Sequence, residues 1–486
     1  MRSLISKKMF LDALPCRTMG WYAHHHEGES REPTSPADLW QFYCGNQVGE
    51  TAREQLGPGL MLSRSGETTQ QMIVKPATEL LFEARFETGP FVARADAIRR
   101  AGERWDVIEV KSAKEPDEGA RIDRKHVDDL AYTVMVARGC GLEINRCMLM
   151  FLSRAFRFDV RGDLLVDVDV TDRVLPRADE FAALAMDVSS AILGELRPDP
   201  DLKLACRKCA YFASHCVGRG VATSIFVIPG LSQKRLDRIK PIVDFHQLQD
   251  DVDLTDIQRG VFDMVRSGEA RVMPGLGRLE DVVWPAYYLD FETISPVLPW
   301  FPGDGVYAQR PFQYSIHACD AIGKVTSHVE YLAPAIGDWR RELAERLLDA
   351  LGTDGSIIIY TSFEEKELRC LGGLFPDLAS RVDAVLARLF DLNDVIKKGY
   401  DHPGFEGSTS IKKVLPVMVP DLRYDGMAIG EGMAASGAFG LMRVGEFDPE
   451  SFDGWRRDLL EYCKLDTMAM VRVHEALDRV WSASRT

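Results

Sequence analysis

The chain has 486 residues, 46% of them hydrophobic and 27% charged, and a formal net charge of −15. That length exceeds one ordinary core and suggests two or three domains, and the composition is globular rather than disordered or membrane-spanning. The acidic balance excludes a generally basic nucleic-acid coat, because phosphate binding runs on Lys and Arg; any contact with nucleic acid has to be local, and bound cations would reverse the sign around clustered carboxylates.

No apolar run reaches the roughly 20 residues that span a bilayer. Lys7, Lys8 and Asp12 interrupt MRSLISKKMFLDALPC, so no signal-like stretch is expected there. The expectation is a soluble, cytoplasmic protein with no membrane partner. Ten cysteines in that setting read as thiols or metal ligands rather than disulfides.

The first part, residues 1–220, reads as an α/β core. TELLFEARF, PFVARADAI and WDVIEVKS are expected strands, and the helix that follows carries Val127, Leu130, Ala131 and Val134 at helical spacing. Asp96 ends the second strand, and Glu109 and Lys111, two apart on the third, share a face. Such a set can hold Mg²⁺ on the two carboxylates while the lysine positions or helps deprotonate a water. Glu-x-Lys alone is commonplace on an edge strand, and it is Asp96 at hairpin distance that gives it weight. Glu50, in NQVGETAREQL, is a further candidate ligand, with a surface helix glutamate as the plain alternative.

This part closes on Cys206, Cys209 and Cys216, and Cys16 lies near its other end, in LPCRTMGWY. If those ends are adjacent, four thiolates can meet in a tetrahedral site for zinc or an iron–sulfur cluster, and spacing does not choose between them. Cys44, Cys140, Cys147, Cys319, Cys370 and Cys463 show no ligand spacing and read as core thiols. His24 to His26 read as a polar helix end or loop.

Residues 221–285 form an expected helical connector, with IPGLSQKRLDRI and LTDIQRGVFDMV as its two helices. The IPGL turn has a faint likeness to a helix-hairpin-helix, a motif that grips a phosphate backbone; a small helical linker is the plain reading.

The last part, residues 286–486, opens on the expected strand AYYLDFET, where Asp290 and Glu292 point to one face and Leu289 and Phe291 to the other. PFQYSIHA and VTSHVEYLA form a hairpin about CDAIGK, followed by the helix WRRELAERLLDAL and the buried strand SIIIYTS. Three strands followed by strand–helix alternation is the order of an RNase H-like sheet, one that other α/β folds share. A buried carboxylate pair needs a compensating partner, and a divalent cation is the natural one. Glu364 falls in the first turn after SIIIYTS, at the mouth of the sheet. Tyr462 and Asp466 are four apart and stack on one face of a strong helix. Asp391, in FDLNDV, is a candidate helper or, more plainly, a strand-end or helix-cap aspartate.

Three segments carry a resemblance: DFE at Asp290 to Glu292, YTSFE at Tyr360 to Glu364, and YCKLD at Tyr462 to Asp466. Together they resemble the DEDD exonucleases, in the subclass whose final motif is Tyr-x-x-x-Asp, and GSTSIKKVLP is similar to that family's Ser-Leu-Lys stretch. The resemblance implies removal of nucleotides from a 3′ end with two Mg²⁺ or Mn²⁺ ions, typically about 3.5 to 4 Å apart. Asp290, Glu292, Glu364 and Asp466 would hold the ions and Tyr462 would orient the attacking water. Glu364 stands where the family has Asp, which keeps the charge and lengthens the arm.

A lone upstream cysteine, the Asp96…Glu109-x-Lys111 core and the closing cysteine triplet resemble the iron–sulfur branch of the RecB-like PD-(D/E)XK nucleases, including CRISPR-adaptation exonucleases and helicase–nucleases. That resemblance implies a restriction-endonuclease-like fold, a [4Fe-4S] cluster on Cys16, Cys206, Cys209 and Cys216, with Zn²⁺ as the alternative, and Mg²⁺ on Asp96 and Glu109. Thr133 stands where relatives carry a helix Gln that contacts the site, a departure that points to weakened or absent cleavage there.

End to end the sequence resembles a bacterial family of unknown function that fuses these two kinds of domain. The implied activity is metal-dependent hydrolysis of nucleic acid, DNA first, in DNA repair or phage defence, with a helicase or another repair or defence protein as candidate partner. Two alternatives stand beside it: an N-terminal iron–sulfur clamp that binds DNA without cutting, and a catalytically silent adaptor.

Overall fold

A computed structural model describes residues 4–26, 35–62, 68–160, 162–424, 426–427, 429–445 and 449–485. The chain is mixed α/β and divides into two compact units, the first made of Met1–Thr34, Gln41–Leu202 and Pro296–Ala308, the second of Ser35–Trp40, Lys203–Ser295 and Gln309–Thr486. The cysteine triplet and the stretch 221–285 thus fall in the second unit. Among the described residues no helix is long and apolar enough to cross a membrane.

The first unit is built on a six-stranded sheet in the order β1 (Leu60–Met61), β2 (Leu80–Thr88), β3 (Phe91–Ala101), β4 (Arg104–Lys114), β5 (Ile144–Leu152), β6 (Leu165–Asp169). Helices α1 (Lys7–Ala13), α2 (Arg17–His25), α3 (Arg124–Gly139) and α4 (Thr171–Leu193) accompany it. β2, β3 and β4 run antiparallel, and α3 is the crossover that makes β5 parallel to β4. One face carries Leu81, Ala84, Phe86, Ile98 and Leu149 against Phe10, Leu130, Val134 and Phe181. The other carries Leu80, Phe82, Ala97, Ile108 and Met150 with Val48 and Ala52.

The β2–β3 ladder skips Glu83 and Asp96 between the pairs Phe82–Ala97 and Ala84–Ala95, and Glu83 takes a φ of 57° there. The left-handed backbone at Glu83 turns the strand over at that point. Leu80 and Phe82 accordingly line one core, while Ala84 and Phe86 line the other. Asp96 sits at this break, where its side chain is released from the pleat.

The second unit begins with α5 (Gln233–Ile239) and α6 (Asp256–Ser267), the two expected helices of the 221–285 stretch. The IPGL turn is preceded by the 3₁₀ turn Ile225–Val227 and so joins no pair of α-helices, and its Pro229 carbonyl accepts from Gln258 Nε2 at 2.9 Å. β7 (Arg271–Val272) pairs with Tyr400–Asp401 apart from the main sheet. That sheet holds β8 (Ala286–Ile294), β9 (Arg310–Ala321), β10 (Lys324–Leu332), β11 (Ser356–Ile359) and β12 (Leu389–Asp391) in the order β10-β9-β8-β11-β12. The β9–β10 hairpin is as the sequence predicts, turning with Gly323 at φ 71°, and β8 pairs antiparallel with β9. β11 and β12 then add in parallel on the other side of β8. Gly355, at φ 79°, opens β11 beside the start of β8, where a Cβ would lie 1.7 Å from the Pro285 carbonyl oxygen, so only glycine fits.

Helices α7 (Phe363–Leu374), α8 (Leu392–Gly399), α9 (Ile411–Met418), α10 (Gly432–Val444) and α11 (Pro449–Ser484), with Arg340–Leu351 and Ala379–Leu386, complete the unit. Ala286 and Tyr288 of β8 share a core with Met470, Val473 and Leu477 of α11, and the Tyr288 hydroxyl meets His474 Nδ1 at 2.8 Å. This packing sets the face of β8 on which Asp290 and Glu292 stand and sets α11 over it.

Candidate metal sites

Strand β8 and helix α11 bring Asp290, Glu292 and Asp466 together, with one oxygen of each within 4.8 Å of the others. The two-residue step of the strand delivers the pair, and α11 delivers Asp466 eight residues, about two turns, before His474. Glu364, in the first turn of α7, is 3% exposed and accepts from the Thr361 N–H at 3.4 Å. Its charge is felt by both Asp290 and Glu292, but it stands outside the group of three.

Burial and mutual repulsion dominate the electrostatics. Burial, then the charges of Asp466, Glu292 and Glu364, hold the Asp290 carboxyl well above the usual range. Burial and Asp466 push Glu292 up to about 8, with Lys412 opposing. Glu364 is pushed up to about 7 by burial, against hydrogen bonds from its own and Thr361's N–H, and Asp466 to about 6 by burial, against the Tyr424 hydroxyl and Lys412. Like charges this close cannot all ionise without a cation among them.

Tyr462, four residues before Asp466 on α11, is 3% exposed. A phenol absent from the sequence reading bonds to that carboxylate: the Tyr424 hydroxyl donates to Asp466 Oδ1. Lys412 Nζ lies 5.5 Å from the Tyr462 ring centre and 5.7 Å from that of Tyr424, and donates to the Gly430 carbonyl at 2.7 Å. It belongs to the flagged GSTSIKKVLP stretch; Tyr424 had no signal, being a loop tyrosine outside any spacing pattern. Cys463, read as a core thiol, is fully buried with Sγ 3.7 Å from Asp290 Oδ2. Burial, followed by Asp290, Glu292 and Asp466, raises that thiol well above its ordinary value. Asp391 is a helix cap: its Oδ1 accepts from the Asp394 N–H at 2.8 Å at the start of α8.

In the first unit, β3 and β4 pair from Ala101–Arg104 as far as Ala97–Ile108. Beyond that pair the Asp96 carboxylate takes over, accepting the Val110 N–H at 2.7 Å. Burial and Glu109 push Asp96 up to about 7, with Lys7 and Lys111 opposing. Glu109 Oε1 accepts from Lys111 Nζ at 3.0 Å and from Lys7 Nζ at 2.7 Å, and Lys111 also donates to Asp129 Oδ2. Burial pulls the Lys111 ammonium down, but Glu109 and Asp129 outweigh it and leave it above its ordinary value. Glu109 and Lys111 thus pair, with Asp96 near enough for the Glu109 charge to raise it, and Lys7 and Asp129 join them unforeseen; the oxygens of Asp96, Glu109 and Asp129 do not converge as those of Asp290, Glu292 and Asp466 do.

Thr133 is fully buried and turns back on its own helix, Oγ1 to the Asp129 carbonyl at 3.4 Å; the α3 residue that touches the site is Asp129, one turn earlier. Glu50 is exposed and bonded by Gln47 Nε2 at 3.4 Å, a surface glutamate. Instead, Asn46, Gly49 and Arg53 of the same helix line a cavity of about 310 Å³ beside Asp96, Glu83 and Ser112.

Cys206, Cys209 and Cys216 lie in successive tight turns, with Cys209 N–H to Cys206 O at 3.2 Å and Cys216 N–H to Tyr211 O at 2.8 Å. Their sulfurs do not converge as the three carboxylates do among the described residues. Cys16, in the first unit, is the N-cap residue of α2, and His24 and His25 form that helix's last turn.

A family model described as a domain of unknown function (DUF2779) matches residues 287–410. The matched stretch holds Asp290, Glu292 and Glu364 and stops short of Tyr424, Tyr462 and Asp466. Neither the curated proteins nor the solved structures contain a match.

Proposed function

We propose that the protein is a metal-dependent nuclease whose principal centre, in the second unit, removes nucleotides from the 3′ end of nucleic acid, most readily DNA. The observation that carries this reading is the convergence of Asp290, Glu292 and Asp466, buried and raised together, with phenols and one distant lysine as their polar company. The β10-β9-β8-β11-β12 order, three antiparallel strands followed by two parallel ones, supports an RNase H-like fold.

The residues present fit two divalent cations. Asp290, Glu292 and Asp466, with Glu364 beside Asp290, would hold them, and when bound they supply charge to the attacking and leaving oxygens of a phosphodiester. Tyr462 orients the attacking water through its hydroxyl. Tyr424 keeps Asp466 oriented by its hydrogen bond. Lys412 contributes positive charge near the two rings, where an anionic substrate needs it.

The first unit, with antiparallel β2–β4 and a helical crossover to β5, supports a PD-(D/E)XK fold and a second hydrolytic centre on Asp96, Glu109 and Lys111. A non-cleaving clamp on DNA is the second reading for this unit, favoured by Thr133 turning away and by Lys7 seated on Glu109. A [4Fe-4S] cluster on Cys16, Cys206, Cys209 and Cys216 is part of the proposal, with Zn²⁺ as its alternative; a broad visible absorption band in the purified protein separates the two. The biological setting proposed is DNA repair or phage defence, alongside a helicase or similar partner.

The test uses 3′- and 5′-labelled single- and double-stranded DNA and RNA with Mg²⁺ or Mn²⁺. Cleavage lost in Asp290→Ala but kept in Lys111→Ala supports the exonuclease with a clamp, and loss in both supports two coupled centres. Cleavage unaffected by either substitution sinks both assignments.

A further inference from the structure

The chain's N-terminal segment is fastened to the first unit close to Glu109. Ile5 N–H donates to Pro90 O at 2.7 Å, Val92 N–H donates to Ile5 O at 3.1 Å, and the Tyr132 hydroxyl donates to Ile5 O at 2.7 Å. Two residues on, Lys7 opens α1, whose Met9 and Phe10 are buried in the core between sheet and helices. The segment is therefore anchored on both sides of Lys7, and its ammonium is delivered to a fixed place: 2.7 Å from Glu109 Oε1 and 3.5 Å from Asp129 Oδ1.

Lys7 and Lys111 both donate to the same Glu109 oxygen. The other, Oε2, is buried and accepts nothing, although Glu109 is only 5% exposed. A buried carboxylate oxygen left without a donor is costly unless something else engages it. Of the two lysines, Lys7 is the one with a route to water: its side chain is 24% exposed against 14% for Lys111. Asp129 faces both ammoniums, so it too has an acceptor oxygen to offer if one of them leaves.

We propose that Lys7 is a displaceable internal counter-cation of the first unit's centre, seated where a divalent ion would bind, and that Asp129 joins Asp96 and Glu109 as that ion's third carboxylate. The inference rests on the metal reading of this centre. The ion enters by exchanging with the Lys7 ammonium, which swings to solvent while Lys111 stays. Metal occupancy of this unit is then set by competition with the chain's own N-terminal helix, which makes it weaker than that of the second unit.

Electron paramagnetic resonance of free Mn²⁺ measures this directly, in the full-length protein with the second unit's centre silenced by Asp290→Asn and Asp466→Asn. Lys7→Met should tighten the remaining Mn²⁺ binding roughly tenfold, the scale of one charged hydrogen bond. Lys7→Arg should restore the parent affinity, Asp129→Asn should weaken it, and Glu109→Gln should abolish it. Binding unchanged or weakened in Lys7→Met, with Lys7→Arg indistinguishable from it, overturns the competition while leaving the metal reading intact. No Mn²⁺ taken up by parent or Lys7→Met would remove the metal reading of this centre and the inference with it.

Discussion

In the first unit Glu109 and Asp129 face two ammonium groups, whereas in the second Asp290, Glu292 and Asp466 face phenols, a thiol and, several ångströms off, Lys412. Both are sets of acidic side chains on the face of a sheet, capped by a helix. One set is neutralised by the chain itself and the other by protons; on the proposed reading a cation from outside would replace them. The difference separates folding from function: an internally paired cluster is at rest without metal, and a bare one is strained without it.

The largest effect that can break this contrast is in catalysis. Asp290→Ala should lower Mg²⁺-dependent 3′-end cleavage by about a thousandfold, since it removes a central ligand. Lys111→Ala should leave 3′-end cleavage within a few fold, read on the same labelled substrate, unless the two centres are coupled. Stability should move the other way. Lys111→Ala leaves buried Glu109 and half-buried Asp129 short of a partner and should cost about 3 kcal/mol in urea unfolding. Asp290→Asn, which relieves repulsion, should raise the stability of the metal-free protein instead.

A subtler contrast lies in pH. The carboxyls of Glu292, Glu364 and Asp466 are raised to about 8, 7 and 6. Groups raised on folding lend stability that is whole below their unfolded values, near 4, and lost as pH climbs through the folded ones. The metal-free protein should therefore lose stability between about pH 5 and 8, and the gain in melting temperature on adding Mn²⁺ should grow over the same interval. A gain independent of pH would mean that these carboxyls do not bind the ion. Smallest of all, Tyr424→Phe should weaken Mn²⁺ binding at the second centre by about tenfold, as loss of a group that orients a ligand does. Tyr462→Phe should slow cleavage with metal affinity kept, which isothermal titration calorimetry and single-turnover kinetics distinguish.

Local periodicity made much of this readable in advance. Asp290 and Glu292 declared a shared face by strand alternation, Tyr462 and Asp466 by the helical turn, and the β9–β10 hairpin by its turn residues. What stayed hidden was set by distance along the chain. Lys7 meets Glu109 across 102 residues and Tyr424 meets Asp466 across 42, and no spacing rule reaches that far. Asp129 went unseen because the rotation of α3 against the sheet decides which turn touches the site, and that rotation is a property of packing. The two readings of Glu50 stayed open for the same reason: its helix was foreseen, but the face it turns to the sheet was not.

Strand β8 is held on both flanks at once, antiparallel to β9 and parallel to β11, with its one irregularity placed just after Glu292. The parity of this strand is thereby frozen. A single inserted or deleted residue between Tyr288 and Asp290 would turn both acids towards the opposite layer and bring Leu289 or Phe291 under α11, while the fold itself could survive. Length variation in a loop leaves side-chain parity alone; here it would dismantle the three-carboxylate cluster outright.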